Sequence, residues 1–288
     1  MKYCKIQKKI LSVFLACIFA LIGIAAVCSM NAYTGAAQTV YYSDADYNGG
    51  GLQIEDSEYI YHDGYTVHSE YQILQAPSYG NGDPTKTNFC AATAGTNIVG
   101  FYDKTYTNLI PNFEPGMWVN GVYRYFPNVG FAAITQVFNT LYDEMQVNVD
   151  GIGASEEDFK SGLNIYVEDH GYNLSFSSFY SNSTNVNLST FGNAINEGKI
   201  GVLFCRTYNF VYTIQHSDGQ TFVSKLNSEN PHIMMAYGYI TIDYYQNGSI
   251  FRTDTYLQVS SGFSSADQGY IKMNDDLQIE EALIVNIS

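Results

Sequence analysis

Positive charge is what this chain has least of. Lys and Arg together number 13 in 288 residues, against 28 Asp and Glu. Four of the 13, Lys2, Lys5, Lys8 and Lys9, lie at the very start, so beyond residue 37 nine basic groups face 28 acidic ones, a net of −19. That balance excludes nucleic acid as a partner, because phosphate binding needs concentrated positive charge. It disfavours an anionic membrane surface for the same reason. Cysteine is also scarce. Cys4, Cys17 and Cys28 fall in the N-terminal segment, which leaves only Cys90 and Cys205. Two cysteines build no disulfide framework; they form either one bridge or two thiols. No nucleotide-binding glycine loop and no internal repeat occurs. His62 beside Asp63, His68 near Glu70 and His216 near Asp218 match no metal-ligand spacing. They read as solvated surface, and neither metal nor cofactor is expected.

The N-terminal segment joins those four lysines to an uncharged run, Ile10 to Val27, and then to small residues at Gly35 and Ala37. This is the pattern of a secretory signal peptide spanning residues 1–37, so a secreted or extracellular protein is expected. The apolar run of 18 residues approaches the length of a membrane span. Membrane association is therefore expected only if the segment stays uncleaved. Residues 38–65 are rich in Asp, Tyr and Gly, and read as a linker or short pro-like arm. The hydrophobic share of 46% and the 15% of aromatics, with 26 Tyr, allow a sizeable core. Residues 66–288 are expected as one monomeric domain.

Periodicity in that domain changes character partway. Apolar spacing predicts helices over 90–104, 131–145, from 155 to His170-Gly171, and over 188–197. Glu156, Glu157 and Asp158 suit the positive end of the third. Strand-like runs follow at 200–206, 233–243, 255–260, 270–273 and 282–287, with Gln246-Asn247-Gly248 as a hairpin turn. Helices first and a mostly antiparallel sheet second make an α+β fold.

Two residues carry candidate chemistry. Cys90 opens the first helix, with Asn88 as expected N-cap. A helix N-terminus and a nearby imidazolium both lower a thiol's pKa toward the thiolate that acts as nucleophile, and backbone N–H groups there can hold an oxyanion. His232 opens a strand 142 residues downstream and has the chemistry of a base that then protonates a leaving amine. Alone, each has an ordinary reading: a core cysteine and a half-buried histidine. Thiol first and imidazole far downstream is the order of papain-like cysteine peptidases.

Cys90-Ala91-Ala92-Thr93-Ala94 resembles the Cys-x-Ala-Thr-Ala nucleophile motif of the streptopain family, and the extension through Gly100-Phe101-Tyr102-Asp103 is similar to C39-like bacterial peptidases. Ala194 to Leu203 resembles the helix–strand element that precedes the histidine strand in these folds. Pro231-His232-Ile233-Met234-Met235-Ala236-Tyr237-Gly238-Tyr239 resembles their Gly-His-aliphatic-Gly-Tyr strand. Tyr256 to Phe263 with Gly269-Tyr270 resembles the segment that carries Asn-Trp-Gly-Trp. The likeness covers roughly residues 70 to 288. It implies a papain-like fold with a helical half against a sheet half, and hydrolysis of peptide or protein substrates by Cys90 and His232. Ser260 stands where these families place the Asn that orients the imidazole, and is the expected third residue; Asp243 is the alternative. Pro84 stands where a Gln donor to the oxyanion is usual. These departures keep open an alternative: a catalytically inactive surface binding module on the same fold. A cell-wall amidase of the NlpC/P60 or CHAP kind shares the Cys-then-His order but has a shorter gap.

Overall fold

The computed structural model describes residues 40–42, 56–126, 131–149, 151–263, 266–274 and 276–288. The expected signal peptide lies outside the described residues. Helices α1 (Cys90–Asp103), α2 (Ala132–Glu144), α3 (Glu156–Asp169) and α4 (Leu188–Asn196) fall within a residue or two of the predicted spans. Among the described residues no helix is long and apolar enough to cross a membrane. The molecule is α+β, as expected, with a large antiparallel sheet.

The nine strands of that sheet are β1 (Asp56–Tyr61), β2 (Gly64–Gln72), β3 (Leu174–Ser178), β4 (Ile200–Ser217), β5 (Gln220–Ser228), β6 (His232–Gln246), β7 (Ser249–Phe263), β8 (Ala266–Lys272) and β9 (Gln278–Ile287). Their order is β1-β5-β4-β8-β7-β6-β2, and β9 joins β4 to β3. The long strand β4 serves two layers. Its first part, Ile200 to Thr207, is flanked by β6 and β9; its second part pairs with β5, and Phe210 and Val211 also reach β8. Because β4 pairs with both β6 and β8, the strands β4, β8, β7 and β6 form a closed circuit.

Alternation along β4 and β6 divides the apolar interior. Val202, Phe204, Ile233, Met235 and Tyr237 face the helices and share a core with Cys90, Phe101, Phe138 and Phe159. Leu203, Cys205, Met234 and Ala236 point the other way, into a core with Leu257, Val259, Phe263 and α4's Phe191. Successive side chains on a strand point to opposite faces, so near-continuous apolar runs there mean burial on both sides. All 14 residues of α1 are buried; it is a central helix with no solvent face, which explains its run of Ala, Gly and Thr. Tyr102 donates its hydroxyl to the Val285 carbonyl of β9 at 2.6 Å.

Two expectations are corrected. Val40–Ser288 is one compact unit, and within the stretch 38–65 assigned by composition to a linker or arm, residues 56–61 and 64–65 are strands of the sheet. Here β1 pairs with β5 through Tyr61↔Gln220 to Asp56↔Lys225, and β2 pairs with β6. Upstream, Tyr41 and Tyr42 pair with Ser155 and Ala154, and Tyr42 is buried against Phe204. The stretch around His216, expected as solvated surface, is the tip of the β4–β5 hairpin. His216 and His62 both hydrogen-bond the Thr221 hydroxyl, at 2.8 and 2.9 Å, and His62 is buried. Asn247 (φ 52°) and Gly248 (φ 76°) make the expected tight turn between β6 and β7.

Helix α3 begins with a capping box. The Ser155 hydroxyl accepts from Asp158 N–H, and the Asp158 carboxylate accepts from Ser155 N–H. Ser155→Ala removes one half of this reciprocal pair and is expected to cost about 1 kcal/mol, read as a lowered urea midpoint at unchanged slope.

Candidate active site

The nucleophile candidate opens α1, and its approach is tightly held. Asn88 is not the N-cap. Its φ of 55° lies in the left-handed region and turns the side chain away from the helix, so its amide donates to the Asn148 side chain and to the Gly151 carbonyl. Asn148 in turn donates to the Thr87 hydroxyl at 3.1 Å, and Tyr142 donates to the Thr87 carbonyl at 2.9 Å. Phe89 takes the cap position. No side chain caps the helix there, and its first turn holds no acid. By contrast, α3 and α4 are capped by Ser155 and Asn187. The first turn of α1, which begins at Cys90, thus carries no acidic side chain of its own to offset the positive end of the helix dipole.

His232 opens β6. Antiparallel pairing sets Cys205 of β4 directly opposite it. The ring stacks on Phe263 at 4.7 Å between centroids and 22° between planes, with Tyr208 at 5.9 Å. Its Nε2 lies 2.8 Å from the main-chain oxygen of Ser261. A carbonyl oxygen only accepts, so Nε2 carries the hydrogen and the neutral ring holds its lone pair on Nδ1.

His232 and helix α1 each touch one stretch of β7. His232 is bonded to Ser261, while Gly262 is in contact with Thr93, one turn into α1: a Cβ on Gly262 would sit 2.8 Å from Thr93 Cγ2. Cys90 is 1% exposed and His232 2%, so in this state both are covered.

Ser260 adjoins the stretch, and its hydroxyl donates to the Pro77 carbonyl. Asp243 is placed elsewhere. It lies eleven residues along the unbroken strand β6, about 35 Å from His232 at a strand's rise per residue. There its carboxylate meets His68 Nε2 at 3.0 Å and the Thr253 hydroxyl at 2.6 Å. It is not an orienter of His232, because β6 stays extended between them. Cys90 and Cys205 form no disulfide, so the bridge considered from sequence is absent. Burial pushes the Cys205 thiol up to about 12, which keeps it protonated and a poor nucleophile beside the imidazole.

Sequence reasoning missed the Ser261 carbonyl, since any residue supplies one. The available signal was an isolated glycine, Gly262, near the end of a strand, the mark of a bulge. A separate cavity of about 370 Å³ lies between α2, the end of α3 and residues 110–112, lined by Ile110, Asn112, Gln136, Thr140, Tyr166 and His170 among others. It shares no residue with the Cys90–His232 region. No family model matches this chain, and no curated protein or solved structure matches it either.

Proposed function

We propose that this protein is a secreted or surface cysteine peptidase of papain-like architecture, with Cys90 as nucleophile and His232 as base and then acid. The observation that carries the reading is that His232 and the first turn of α1 touch the adjacent residues Ser261 and Gly262, with Nε2 committed to a carbonyl. That commitment leaves Nδ1 as the proton-accepting nitrogen. In the reaction, Nδ1 takes the Cys90 proton, and the sulfur adds to the peptide carbonyl. The oxyanion so formed faces the N–H groups at the start of α1. Collapse breaks the C–N bond, the amine leaves with the proton from Nδ1, and water then hydrolyses the thioester with the same imidazole as base.

The second reading, an inactive binding module on the same fold, is favoured by the burial of both groups. A peptide bond reaches Cys90 only after a covering segment moves. Alkylation of the purified chain with iodoacetamide and with an E-64-type epoxide, mapped by mass, separates the two. For the peptidase, Cys90 is modified first, at a rate on the order of 10²-fold or more above Cys205, and His232→Ala removes the preference. Equal, slow modification of the two thiols in the native protein rejects the peptidase and leaves the module.

A further inference from the structure

We infer that a bulge in β7 orients His232 through the Ser261 carbonyl, with Gly262 as its positioning residue; this rests on the peptidase reading above. The β6–β7 ladder stops at Met235↔Ser260. On the other side of β7, pairing runs through Ser260↔Gln268 and resumes at Phe263↔Ala266, so Ser261 and Gly262 together face one residue of β8. An extra residue in one strand interrupts the ladder and bends it. Here the interruption takes the Ser261 carbonyl out of the ladder register and directs it at His232 Nε2.

Three contacts hold the bulge. Phe263 N–H donates to Ser261 Oγ at 3.0 Å. Ser260 is pinned by its hydroxyl to Pro77. Gly262 has a φ of +79° and lies against Thr93 Cγ2, so a side chain there meets both backbone strain and a β-branched neighbour. The Phe263 ring, fixed by the same bulge, stacks on the imidazole.

The chemical consequence differs from that of a side-chain orienter. A carboxamide presents an oxygen or, flipped, a nitrogen; a hydroxyl donates or accepts. A main-chain carbonyl offers only an acceptor and does not rotate. It therefore admits one neutral tautomer, Nε2–H, and continues to accept once His232 is protonated. It also adds no charge that would raise the imidazolium's stability as a carboxylate does.

The test is the tautomer of His232, read by ¹⁵N–¹H correlation on the purified chain labelled at histidine, with His232→Gln to assign its signals among the five histidines. The wild-type ring is expected as Nε2–H when neutral, and Ser260→Ala is expected to keep that tautomer. Gly262→Ala is expected to mix the tautomers and to slow Cys90 alkylation on the order of 10²-fold, the usual general-base contribution. A neutral ring with its proton on Nδ1 in the wild type overturns the inference, whether or not Gly262→Ala folds. A switch to Nδ1–H in Ser260→Ala, with Gly262→Ala keeping the wild-type tautomer, also overturns it by giving the role to that hydroxyl; a switch in both upholds the bulge, which the hydroxyl helps to pin. Gly262→Ala with wild-type tautomer and rate removes the bulge from the account. An Nε2–H ring beside an unreactive Cys90 upholds the orienting bond and rejects the peptidase.

Discussion

Asp103→Asn is expected to stabilise the protein by several kcal/mol above pH 7 and by little near pH 4. Asp103 is the last residue of α1 and has no solvent exposure. Its Oδ1 accepts from Ile110 N–H at 2.8 Å, while Oδ2 has no hydrogen-bond partner. Burial pushes its carboxyl up to about 7; the Ile110 N–H pulls it back in part and the charge of Glu114 pushes it further up. An unfolded Asp titrates near ~3.9. Between those two values the folded state holds a proton that the unfolded state has released. Stability therefore falls as pH rises from about 4 to about 7, and the full penalty, on the order of 4 kcal/mol, is present above that range. Asparagine keeps the acceptor for Ile110 and carries no charge. Urea midpoints across pH 4 to 9 check this: the wild-type curve should decline toward alkaline pH and the variant's should stay flat by comparison. Parallel curves would mean that Asp103 is already ionised without penalty.

Phe204→Ala is expected to cost about 3–5 kcal/mol, the usual range for a fully buried aromatic truncated to a methyl. Phe204 lies edge-on to Tyr42 and to Phe159, each with centroids 5.4 Å apart. It thus couples three parts of the fold: strand β4, helix α3 and the segment 40–42. Their edge-to-face geometry adds to the area they bury. Its register partner is Ile233, the second residue of β6, and the adjacent pair is Cys205↔His232, so the gap opens under the imidazole's strand. A lowered midpoint in urea, with faster proteolysis near Tyr42, is the expected result. Trp118→Ala is the control. That ring is 72% exposed on a small hairpin, and its loss should stay within about 0.5 kcal/mol.

The helices were legible because each buries its own periodic apolar stripe, or, for α1, small residues all round. The strand starts at 232 and the turn at 247–248 were legible for the same local reasons. What escaped was long-range. Residues 56–65 carry Asp, Tyr and Gly as a loop does, yet they pair with residues more than 150 positions away. The extension of β4 past Arg206 alternates polar and apolar residues around His216, and only its β5 partner makes it a strand. The pair Cys90 and His232 was visible as residue types in order. The group bonded to the imidazole was not, because a main-chain oxygen leaves no trace in composition. Asp243 looked plausible by chemistry and failed by distance, since an unbroken strand separates it from the ring.

Burial of α1 on every side has a consequence for how the protein comes into being. The surface of that helix is not finished until strands far downstream have docked: β6, β7 and β9, whose Val285 receives the Tyr102 hydroxyl. Contacts this remote in sequence form slowly. Cys90, at the start of that helix, therefore meets its final surroundings only once those distant strands have folded onto it.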